Sequence, residues 1–486
     1  MNKTAGIREI VTDIAVVGYG GAGAASAIAA HDNGAKVVIL EKMSEGGGNT
    51  RISAGSILGA SGMEAVEHIL ALCCGVTERA IIKTYVQNAI NNEDWVRKMG
   101  GETTIPSTAE VAYPSIPPST SAWWADFVAP ESLYRFRVRG EDKRGGERLW
   151  RLLATNVERR GIKVMTETSA RELTVNANGE VVGVVVEAQG QTMSVIARRA
   201  VVLACGGFQN NDVMKQAFLP CGPFCYFGHP ANTGDGIRMA QRVGAAMWHM
   251  TIVEGYLGFK PPEYEAAFPV RIPGNHFIYV NSYGNRFANE TGLDLHDAWR
   301  AVSIFDPGQH CYPAIPAFVI FDEEVRKSGP LDPGTMGYNR DYEWSGDNSR
   351  EIAKGWIKRG NTIADLAKQI SIDYSTLAGT IDNYNKYCRL GIDSDFGRSK
   401  ETLGPIEVAP YYAIELWPSL LNTQGGPYRD NKARVLDGEG KPIPRLYSAG
   451  ELGSLWGILY EGGGNIAECL VFGRIAGKNA AAEKPW

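Results

Sequence analysis

The chain of 486 residues contains few cysteines, and none stands at the spacing of a metal or haem motif. Its eight cysteines form no Cys-x-x-Cys pair and no Cys-x-x-Cys-His sequence, and their spacing fits neither zinc nor iron–sulfur ligation. Cys221 and Cys225 lie close together in CGPFC, where they could hold a metal or form a disulfide. Reduced thiols in a loop are the interpretation we favour, so we expect no metal centre.

Long apolar runs and basic clusters are also missing. No apolar stretch reaches the roughly 18 residues that a membrane-spanning helix needs, and the N-terminal sequence MNKTAGIREIVTD is too polar for a signal peptide. The net charge is -5 at pH 7, and no basic run offsets it. This argues against nucleic-acid binding. We expect a cytoplasmic protein that neither spans a membrane nor binds nucleic acid.

A βαβ nucleotide-binding pattern begins near the N-terminus. The apolar run 14–17 leads into GYGGAG from Gly18 to Gly23, a run of small residues follows, and a second apolar run ends at Glu41. In this pattern Gly18 permits a tight turn, Gly20 lets backbone N–H groups approach a pyrophosphate, and Gly23 allows close helix–strand packing. The helix N-terminus favours phosphate, and Glu41 is placed to accept hydrogen bonds from the adenosine ribose. The sequence therefore predicts a dinucleotide site.

Further glycine-rich turns favour FAD over a nicotinamide cofactor. A nicotinamide dehydrogenase needs one such turn, whereas this chain has three more candidate contacts, at 46–50, at 205–207 and at 450–451 leading to 462–465. FAD is long enough to reach all of them. The last helix would point its N-terminus at the flavin, where its partial positive charge would stabilise the anionic reduced ring.

The length and texture of the chain predict an interrupted domain. With 486 residues and 44% hydrophobic content, two domains, or one domain with a large insertion, are expected. Pro-rich loops and aromatic residues dominate the middle of the chain, and the nucleotide-domain pattern returns after it. We predict an α/β fold, in which a Rossmann-like FAD-binding domain (1–254 and 423–486) carries an inserted α+β capping domain (255–422).

Six segments together resemble the flavoprotein family of fumarate reductase, succinate dehydrogenase and 3-ketosteroid dehydrogenases. They occur in the family's order and read GGGNTRISAG, VVLACGGF, TGDGIRMA, YVNSYGNRFANE, LYSAGE and GGGNIAECLVFGRIAG. The resemblance implies FAD, a cap that closes over the flavin, and oxidation or reduction of a carbon–carbon bond beside an electron-withdrawing group. Members with covalent flavin use a His where this chain has Asn49, so non-covalent FAD is implied.

The pattern and the resemblance together select the residues expected to contact FAD. They are Gly18, Gly20, Gly21, Ala22, Gly23, Glu41, Lys42, Gly47, Gly48, Asn49, Thr50, Ser53, Ala54, Gly55, Ala170, Ala204, Cys205, Gly206, Asn232, Gly234, Asp235, Gly450, Glu451, Gly464, Asn465 and Ile466. All but Lys42, Ala170 and Asn232 belong to the nucleotide-binding pattern, to another glycine-rich turn or to a resembling segment.

The cations with which fumarate reductases hold a dicarboxylate are absent from the matching positions. Tyr256, Asp294, Asn422 and Glu461, or their immediate neighbours, stand there instead. A dicarboxylate would meet repulsion where it needs charge-assisted hydrogen bonds. We therefore expect neither fumarate nor succinate as substrate.

The sequence Tyr460-Glu461-Gly462-Gly463-Gly464 resembles the Tyr-x-Gly-x-Gly stretch of ketosteroid dehydrogenases. In those enzymes the Tyr hydroxyl and a Gly N–H bind the substrate carbonyl and stabilise the enolate, because hydride transfer at flavin N5 places charge on the conjugated oxygen. The resemblance gives these roles to Tyr460 and Gly464. The following Asn465-Ile466 departs from the usual Thr-Leu, which leaves steroid identity and bond position open.

A second group must transfer a proton at the carbon opposite the hydride. The candidates are Tyr256, Tyr134, Asp294 and His296, with packing or solvation as the ordinary role of each. Trp456 and the pair Trp123–Trp124 could wall an apolar pocket, and core packing is the alternative.

These observations favour an FAD-dependent oxidoreductase that reduces or introduces a C=C bond conjugated to a carbonyl in a largely apolar substrate, for which a ketosteroid is one candidate. One alternative is a reductase of an unsaturated monocarboxylate or aromatic acid. It would need a cation from Arg51, Arg135, Arg137 or Arg271. The other alternative is a non-catalytic, redox-sensing flavoprotein. Because no second nucleotide motif or haem site is present, we expect a separate electron donor or acceptor.

Overall fold

The computed structural model describes residues 8–105 and 133–486, so the pair Trp123–Trp124 lies outside the described residues. In chain order the strands are β1 Arg8–Val17, β2 Val37–Leu40, β3 Ile57–Ala60, β4 Thr103–Thr104, β5 Leu133–Val138, β6 Lys163–Met165, β7 Thr168–Val175, β8 Val181–Ala188, β9 Gln191–Leu203, β10 Cys225–Tyr226, β11 Met247–Trp248, β12 Val253–Phe259, β13 Phe268–Pro269, β14 Phe277–Val280, β15 Ala317–Phe321, β16 Lys358–Gly360, β17 Tyr411–Thr423, β18 Gly426–Pro427, β19 Arg434–Leu436 and β20 Pro442–Ser448.

Helices occur between these strands along the chain, and the last helix follows the last strand. They are α1 Gly21–Asp32, α2 Gly48–Ile52, α3 Ala65–Leu72, α4 Arg79–Ala89, α5 Asn92–Lys98, α6 Gly145–Arg159, α7 Asp212–Phe218, α8 Asp235–Arg242, α9 Trp299–Val302, α10 Glu323–Ser328, α11 Ser349–Ala353, α12 Ile363–Gln369, α13 Tyr374–Leu390 and α14 Gly464–Ala482, with a 3₁₀ turn at Lys400–Thr402. Among the described residues, no helix is long and apolar enough to cross a membrane.

The chain divides into two units with separate hydrophobic cores. The first comprises Met1–Met214, His229–Val253 and Asn422–Trp486, and the second comprises Lys215–Gly228 and Glu254–Leu421. The second unit therefore includes a short segment, 215–228, that lies outside the predicted insertion. The role of this unit as a cap stays a prediction.

A mostly parallel sheet organises the first unit. Its strands follow the order β19-β20-β9-β1-β2-β6, and the β7–β8 hairpin joins it through β9. β1 pairs in parallel with β2 and β9, with Val17 opposite both Leu40 and Leu203, and β20 pairs in parallel with β9. The carboxyl ends of these four strands therefore meet at one edge, which is where α/β sheets bind ligands.

Helix α14 packs tightly on α1 through small residues. A Cβ added to Gly477 would lie 2.1 Å from the Ser26 carbonyl oxygen, and one added to Gly473 would lie 2.8 Å from that of Ala22. Only glycine permits backbones to approach this closely. The contact places the C-terminal helix beside the nucleotide motif of the same unit.

The second unit is built around a sheet of order β13-β12-β17-β15-β14, to which β10 and β16 add along β17. Apolar residues of α12 and α13 pack on this sheet in a core that includes Ile320, Leu366 and Leu377. The capping box of α12, formed by Thr362 and Asp365, fixes where that helix begins.

Candidate functional site

A cavity with about 790 Å³ of empty space, part of it open to solvent, lies in the first unit at the carboxyl edge of its sheet. Most of the residues predicted to contact FAD line it, namely Gly18, Gly20, Gly21, Ala22, Glu41, Lys42, Gly48, Asn49, Thr50, Ala170, Ala204, Cys205, Gly206, Asn232, Asp235 and Glu451. The motifs at the ends of β1, β2, β9 and β20 thus meet around one space.

The remaining predicted residues do not line this cavity within the described part of the chain. They are Gly23, Gly47, Ser53, Ala54, Gly55, Gly234, Gly450, Gly464, Asn465 and Ile466. Two of them are closely packed glycines: a Cβ on Gly450 would lie 2.7 Å from that of Ala22, and one on Gly55 would lie 2.1 Å from the Gly145 carbonyl carbon. Their predicted contacts with FAD stay predictions.

Some lining residues were not predicted. Tyr19, Glu45, Thr168, His229, Ala231, Met239 and Cys469 join the cavity wall. Tyr19 and Cys469 lie inside motifs that the sequence singled out, so their positions carried a signal. Thr168 and Glu45 belong to no motif, and only the tertiary arrangement reveals them.

The first glycine motif is shaped by close backbone approach. Gly18 has φ +101°, and a Cβ there would lie 2.4 Å from the Ala204 carbonyl oxygen. A Cβ on Gly23 would lie 2.0 Å from the Gly18 oxygen. Any side chain at either position would push the turn out of shape, so both glycines are required. The N–H of Gly21 donates to Thr50 Oγ1 at 3.1 Å, which ties the first motif to the second.

Glu41 stands at the end of β2 with its carboxylate held by the backbone. Its oxygens accept the N–H of Tyr19 at 2.9 Å and the N–H of Met43 at 2.8 Å. Burial raises the pKa of this carboxyl above its usual range, although these hydrogen bonds oppose the shift. The side chain is therefore oriented before any ligand binds, as the predicted ribose contact requires.

Lys42 links the second strand to the start of α8. Its Nζ lies 2.7 Å from Asp235 Oδ2 and 2.8 Å from Thr233 Oγ1. Burial works to raise the pKa of Asp235, but the charges of Lys42 and Arg238 and the hydrogen bonds from Lys42 and Thr233 together outweigh it, and the pKa is lowered. Both predicted residues thus form one ion pair at the cavity wall.

Glu451 and Asn49 form a hydrogen-bonded network that joins distant motifs. Asn49 Nδ2 donates to Glu451 Oε2 at 2.9 Å, and the N–H of Gly207 donates to Oε1 at 2.9 Å. Asn49 Oδ1 accepts the N–H of His229 at 2.7 Å, and Asn232 Nδ2 lies 3.3 Å from Glu451 Oε1. Both ends of the Asn49 amide are therefore engaged, and the side chain is held in one orientation.

Burial raises the pKa of Glu451 to about 7, from an ordinary value of 4.5. Because the folded protein binds this proton more tightly than the unfolded chain, the stabilisation is complete below about pH 4.5 and is lost as the pH rises through 7. In flavin-free protein, the free energy of unfolding of wild type minus that of Glu451→Gln is expected to fall by roughly 2–3 kcal/mol between about pH 5 and pH 8. Urea unfolding across that range measures it, and a constant difference would contradict the assignment.

Tyr460, the predicted hydrogen-bond donor to the substrate carbonyl, lies at the N-terminus of α14. Tyr460 Oη accepts the N–H of Gly463 at 3.1 Å and that of Asn465 at 3.2 Å, and the Tyr460 ring meets the Trp456 ring edge-on at 5.3 Å. The N–H of Gly464 donates to the Glu461 carbonyl oxygen at 2.8 Å. The hydroxyl is thus positioned at the helix terminus, whereas the Gly464 N–H is already engaged within the turn.

Gly464 has a second role that its geometry makes plain. A Cβ at this position would lie 2.1 Å from Trp456 Cζ2, so any larger residue would displace the indole. Trp456 is fully buried. Gly464 therefore allows α14 to begin directly against the Trp456 indole, and Trp456 packs in the hydrophobic core.

Tyr134, another candidate for proton transfer, is hydrogen-bonded to a carboxylate. Its hydroxyl donates to Glu93 Oε2 at 3.1 Å, and burial, with the nearby Glu93 charge, raises its pKa to about 12. Tyr134 is absent from the cavity lining in the described part of the first unit. We therefore do not carry it forward as a proton-transfer candidate.

Three other candidates come together in the second unit. The Tyr256 and His296 rings meet edge-on at 5.4 Å, and His296 Nδ1 lies 3.0 Å from Asp294 Oδ1. The Arg271 guanidinium lies 5.6 Å from the Tyr256 ring centroid. Burial raises the pKa of Tyr256 although Arg271 opposes it. Residues separated in sequence thus form one tyrosine–histidine–carboxylate cluster.

The residues of the first unit fit FAD. In the described chain, several buried polar atoms have no hydrogen-bond partner in the protein: Gln209 Oε1, Asn422 Nδ2, Trp456 Nε1 and Asn465 Nδ2. Gln209 contacts the cavity residue Asn49, and the last two side chains stand at the start of α14. Buried polar groups are normally satisfied. A polar cofactor spanning the cavity and the helix terminus would supply partners for such atoms.

FAD is expected to leave the protein on acid denaturation. Asn49 replaces the histidine that forms the covalent link in some flavoproteins, and its amide is occupied by Glu451 and His229. Precipitation with acid followed by flavin fluorescence of the supernatant measures release. Flavin that stays with the precipitated polypeptide would contradict non-covalent binding.

Comparison with known proteins agrees with this geometry. The family model described as FAD binding domain matches residues 13–466. The chain is 30% identical to an NADH:fumarate oxidoreductase of Klebsiella pneumoniae over 484 residues, which cover 96% of this chain and 47% of that protein. It is 28% identical to a 3-oxosteroid 1-dehydrogenase of Mycobacterium tuberculosis, covering 96% of this chain and 98% of that one. The chain thus spans about half the length of the Klebsiella relative.

A solved structure shares the fold. The 3-ketosteroid Δ1-dehydrogenase from Sterolibacterium denitrificans superposes with a TM-score of 0.80 at 23% identity, covering 98% of this chain and all of that one. The predicted α/β fold is therefore confirmed. The chain belongs to the FAD binding domain family, the flavoprotein family of fumarate reductases and ketosteroid dehydrogenases, and its cofactor is FAD.

Proposed function

We propose that the protein is an FAD-dependent oxidoreductase that reduces or introduces a C=C bond conjugated to a carbonyl. The observation that carries the proposal is the Tyr460 hydroxyl, held at the N-terminus of α14 by two backbone N–H groups. FAD supplies hydride transfer at N5 when bound. In the reductive direction a hydride and a proton add across the C=C bond, and in the oxidative direction both leave.

In this proposal Tyr460 donates a hydrogen bond to the carbonyl oxygen of the substrate. As charge builds on the conjugated carbonyl, the phenolic O–H donates to it, and the two N–H groups that meet Oη strengthen that donation by polarising the hydroxyl. The N-terminus of a 19-residue helix adds partial positive charge at the same place. A neutral donor suits this role, because it carries no charge into the site.

The second unit supplies the proton-transfer group in this proposal. Tyr256 is 4% exposed and is backed by His296, which in turn contacts Asp294. A buried phenol with a raised pKa keeps its proton until a strong base forms, and the carbon of an enolate is such a base. We also propose that this unit, 215–228 and 254–421, acts as the cap.

The relatives support the proposed chemistry and are named for different substrates. The Mycobacterium tuberculosis relative is named for an oxosteroid and the Klebsiella pneumoniae relative for fumarate, so both concern a C–C bond beside an electron-withdrawing group. We propose a carbonyl-containing substrate because Tyr256, Asp294, Asn422 and Glu461, or their neighbours, replace the cations of a dicarboxylate site. A separate electron donor or acceptor, either a small carrier or a protein, would exchange electrons with the flavin.

The proposal predicts that enones, and not fumarate, reoxidise the reduced protein. Anaerobic protein reduced with dithionite should regain its oxidised flavin spectrum when mixed with cyclic and steroidal enones, whereas fumarate should leave the spectrum unchanged. Stopped-flow absorbance measures the rates. Fumarate-dependent reoxidation at rates of order 10 s⁻¹, a typical turnover, would overturn the proposal.

A panel of saturated ketones, mixed with oxidised protein and an artificial acceptor, tests the opposite direction. Turnover there and not with enones would assign a dehydrogenase. Flavin that responds to oxygen and dithionite but to neither panel would instead favour the redox-sensing alternative.

A further inference from the structure

Glu451 lies on the wall of the FAD cavity, shortly after the end of β20. Its Oε1 accepts hydrogen bonds from the N–H of Gly207 at 2.9 Å and from Asn232 Nδ2 at 3.3 Å, and its Oε2 accepts one from Asn49 Nδ2 at 2.9 Å. The backbone of Thr423 is a further hydrogen-bond partner. All of these partners are uncharged, so hydrogen bonds to neutral groups hold the carboxyl in place.

The other carboxylates on the cavity wall lie beside positive charge. Asp235 pairs with Lys42 at 2.7 Å, and the charge of Lys42 also favours the ionised form of Glu41. Glu45 pairs with Arg51, and the Glu45 side chain is 73% exposed. Each of these three carboxylates therefore has a cation that offsets its charge.

An ion pair lies next to Glu451 on the side of α14. Glu468 of that helix pairs with Arg429, and both side chains are 0% exposed. The Arg429 guanidinium donates to the carbonyl oxygens of Gly450 and Leu452, which flank Glu451. Burial, and to a smaller extent the charge of Glu468, opposes ionisation of Glu451. Because the two charges of the ion pair offset each other, the pair does not supply a cation for Glu451.

Three other titratable side chains line the same cavity, those of Cys205, His229 and Cys469. Burial raises the pKa of both thiols to about 12, so both stay neutral at physiological pH. The N–H of His229 donates to Asn49 Oδ1, and the Asn49 amide in turn donates to Glu451. An imidazole can change its charge near neutral pH. A test of Glu451 must therefore distinguish it from His229.

FAD adds negative charge to this wall. Both of its phosphates stay ionised near neutral pH, and like charges repel more strongly in a low-dielectric cavity than in water. Burial already raises the pKa of Glu451 to about 7, and an anion bound nearby raises it further. A protonated carboxyl removes one negative charge, and its hydroxyl oxygen can donate into the cavity while it still accepts from Asn49. The neutral form thus keeps its partners and gains a donor.

We propose that Glu451 binds FAD as a neutral carboxylic acid, so that the chain takes up a proton when it takes up its cofactor. The proton comes from solvent and forms an O–H bond at a Glu451 oxygen, which then donates a hydrogen bond to the cofactor. At a pH where the flavin-free protein holds a carboxylate, binding must draw this proton from solution, and FAD is held less tightly. Retention of the cofactor therefore depends on pH, whichever substrate the enzyme uses.

The affinity of the flavin-free, full-length protein for FAD, measured by flavin fluorescence across pH, tests this inference. Since only the protonated fraction binds, the Kd of the wild type is expected to rise by about 30-fold between about pH 6 and about pH 8.5. Glu451→Gln has no titratable group at this position, so its Kd should change by less than about twofold. Glu45→Gln is the matched control, because it removes an exposed carboxylate from the same wall and should keep the pH dependence of the wild type.

The holoenzyme offers a second measurement, for which FAD need not be removed. Its infrared spectrum at about pH 8 should contain the C=O stretching band of a protonated carboxyl, and the spectrum of Glu451→Gln should lack that band. Calorimetric titration of the flavin-free protein with FAD, in two buffers of different ionisation enthalpy, counts the protons. Uptake should be about one proton per FAD at about pH 8.5 and near zero at about pH 6.

The outcomes decide the assignment. A wild-type Kd that does not change with pH, or binding without proton uptake, overturns the inference. A pH dependence that persists in Glu451→Gln also overturns it and assigns the proton to another group, such as His229. If Glu451→Gln does not fold or binds no FAD, Glu451→Asp decides, because a shorter carboxyl should shift the pH at which the affinity begins to fall, and an unshifted pH overturns the assignment. None of these outcomes depends on Tyr460, so the proposed function is tested separately.

Discussion

Replacing Tyr460 by Phe is expected to lower kcat for an accepted enone by about 10²–10³-fold, the cost of deleting one oxyanion donor. The ring stays, so its edge-on contact with Trp456 is kept. The lost oxygen also leaves the N–H groups of Gly463 and Asn465 without their acceptor, which should cost about 1–3 kcal/mol of stability. Flavin absorbance must therefore be measured first, and kcat referred to the bound FAD.

Tyr134→Phe is the matched control for that experiment. It removes the same hydroxyl from a tyrosine that donates to Glu93, so kcat should stay within a few-fold of wild type. A Tyr460→Phe protein with full flavin and near-normal kcat would show that another group donates to the substrate oxygen. An equal loss in both variants would point to a general effect on folding.

Replacing Glu468 by Gln is expected to destabilise the first unit by about 3–5 kcal/mol, because it leaves the buried charge of Arg429 without its counter-ion. Both side chains are 0% exposed. Burial lowers the pKa of Arg429 and raises that of Glu468, so each charge depends on the other. Arg429 also donates to the carbonyl oxygens of Gly450 and Leu452, at 3.1 and 3.2 Å.

Those two carbonyls flank Glu451, so loss of FAD should accompany the loss of stability. Urea unfolding of the holoenzyme, with flavin fluorescence as a second signal, measures both. Glu172→Gln is the control, since it breaks an exposed pair with Arg242 at 3.2 Å and should cost less than about 1 kcal/mol. Equal effects of the two substitutions would mean that the buried pair contributes no more than the exposed one.

Local sequence determined the nucleotide motif and the elements around it. Gly18, Gly20 and Gly23 predicted the β1–α1 turn because each meets a steric demand within a few residues of the chain. The sequence Asn178-Gly179 is likewise typical of a tight hairpin turn, and the structure pairs Val175 of β7 with Val181 of β8 across it. Such features depend on short-range periodicity and turn chemistry, which a sequence displays directly.

Contacts between distant residues required the tertiary structure. Asn49 and Glu451 were each expected at the cofactor, but their hydrogen bond across 402 residues of chain carried no local signal. The same holds for Arg135, which meets Glu461 across 326 residues. Their meeting depends on how strands β3 and β5 pack beside α14, a long-range arrangement that no local pattern encodes.

The direction of a side chain was the second feature that the sequence could not predict. The sequence made both Tyr134 and Tyr256 candidates for proton transfer. The structure directs the Tyr134 hydroxyl to Glu93 and places the Tyr256 ring against the His296 ring. The sequence alone determined the family and the cofactor, and it predicted the edge of the sheet where FAD binds. Tertiary structure decided which side chains stand beside Tyr460, because the strand that carries Arg135 and Arg137 and the turn at Glu461 meet only when the first unit has folded.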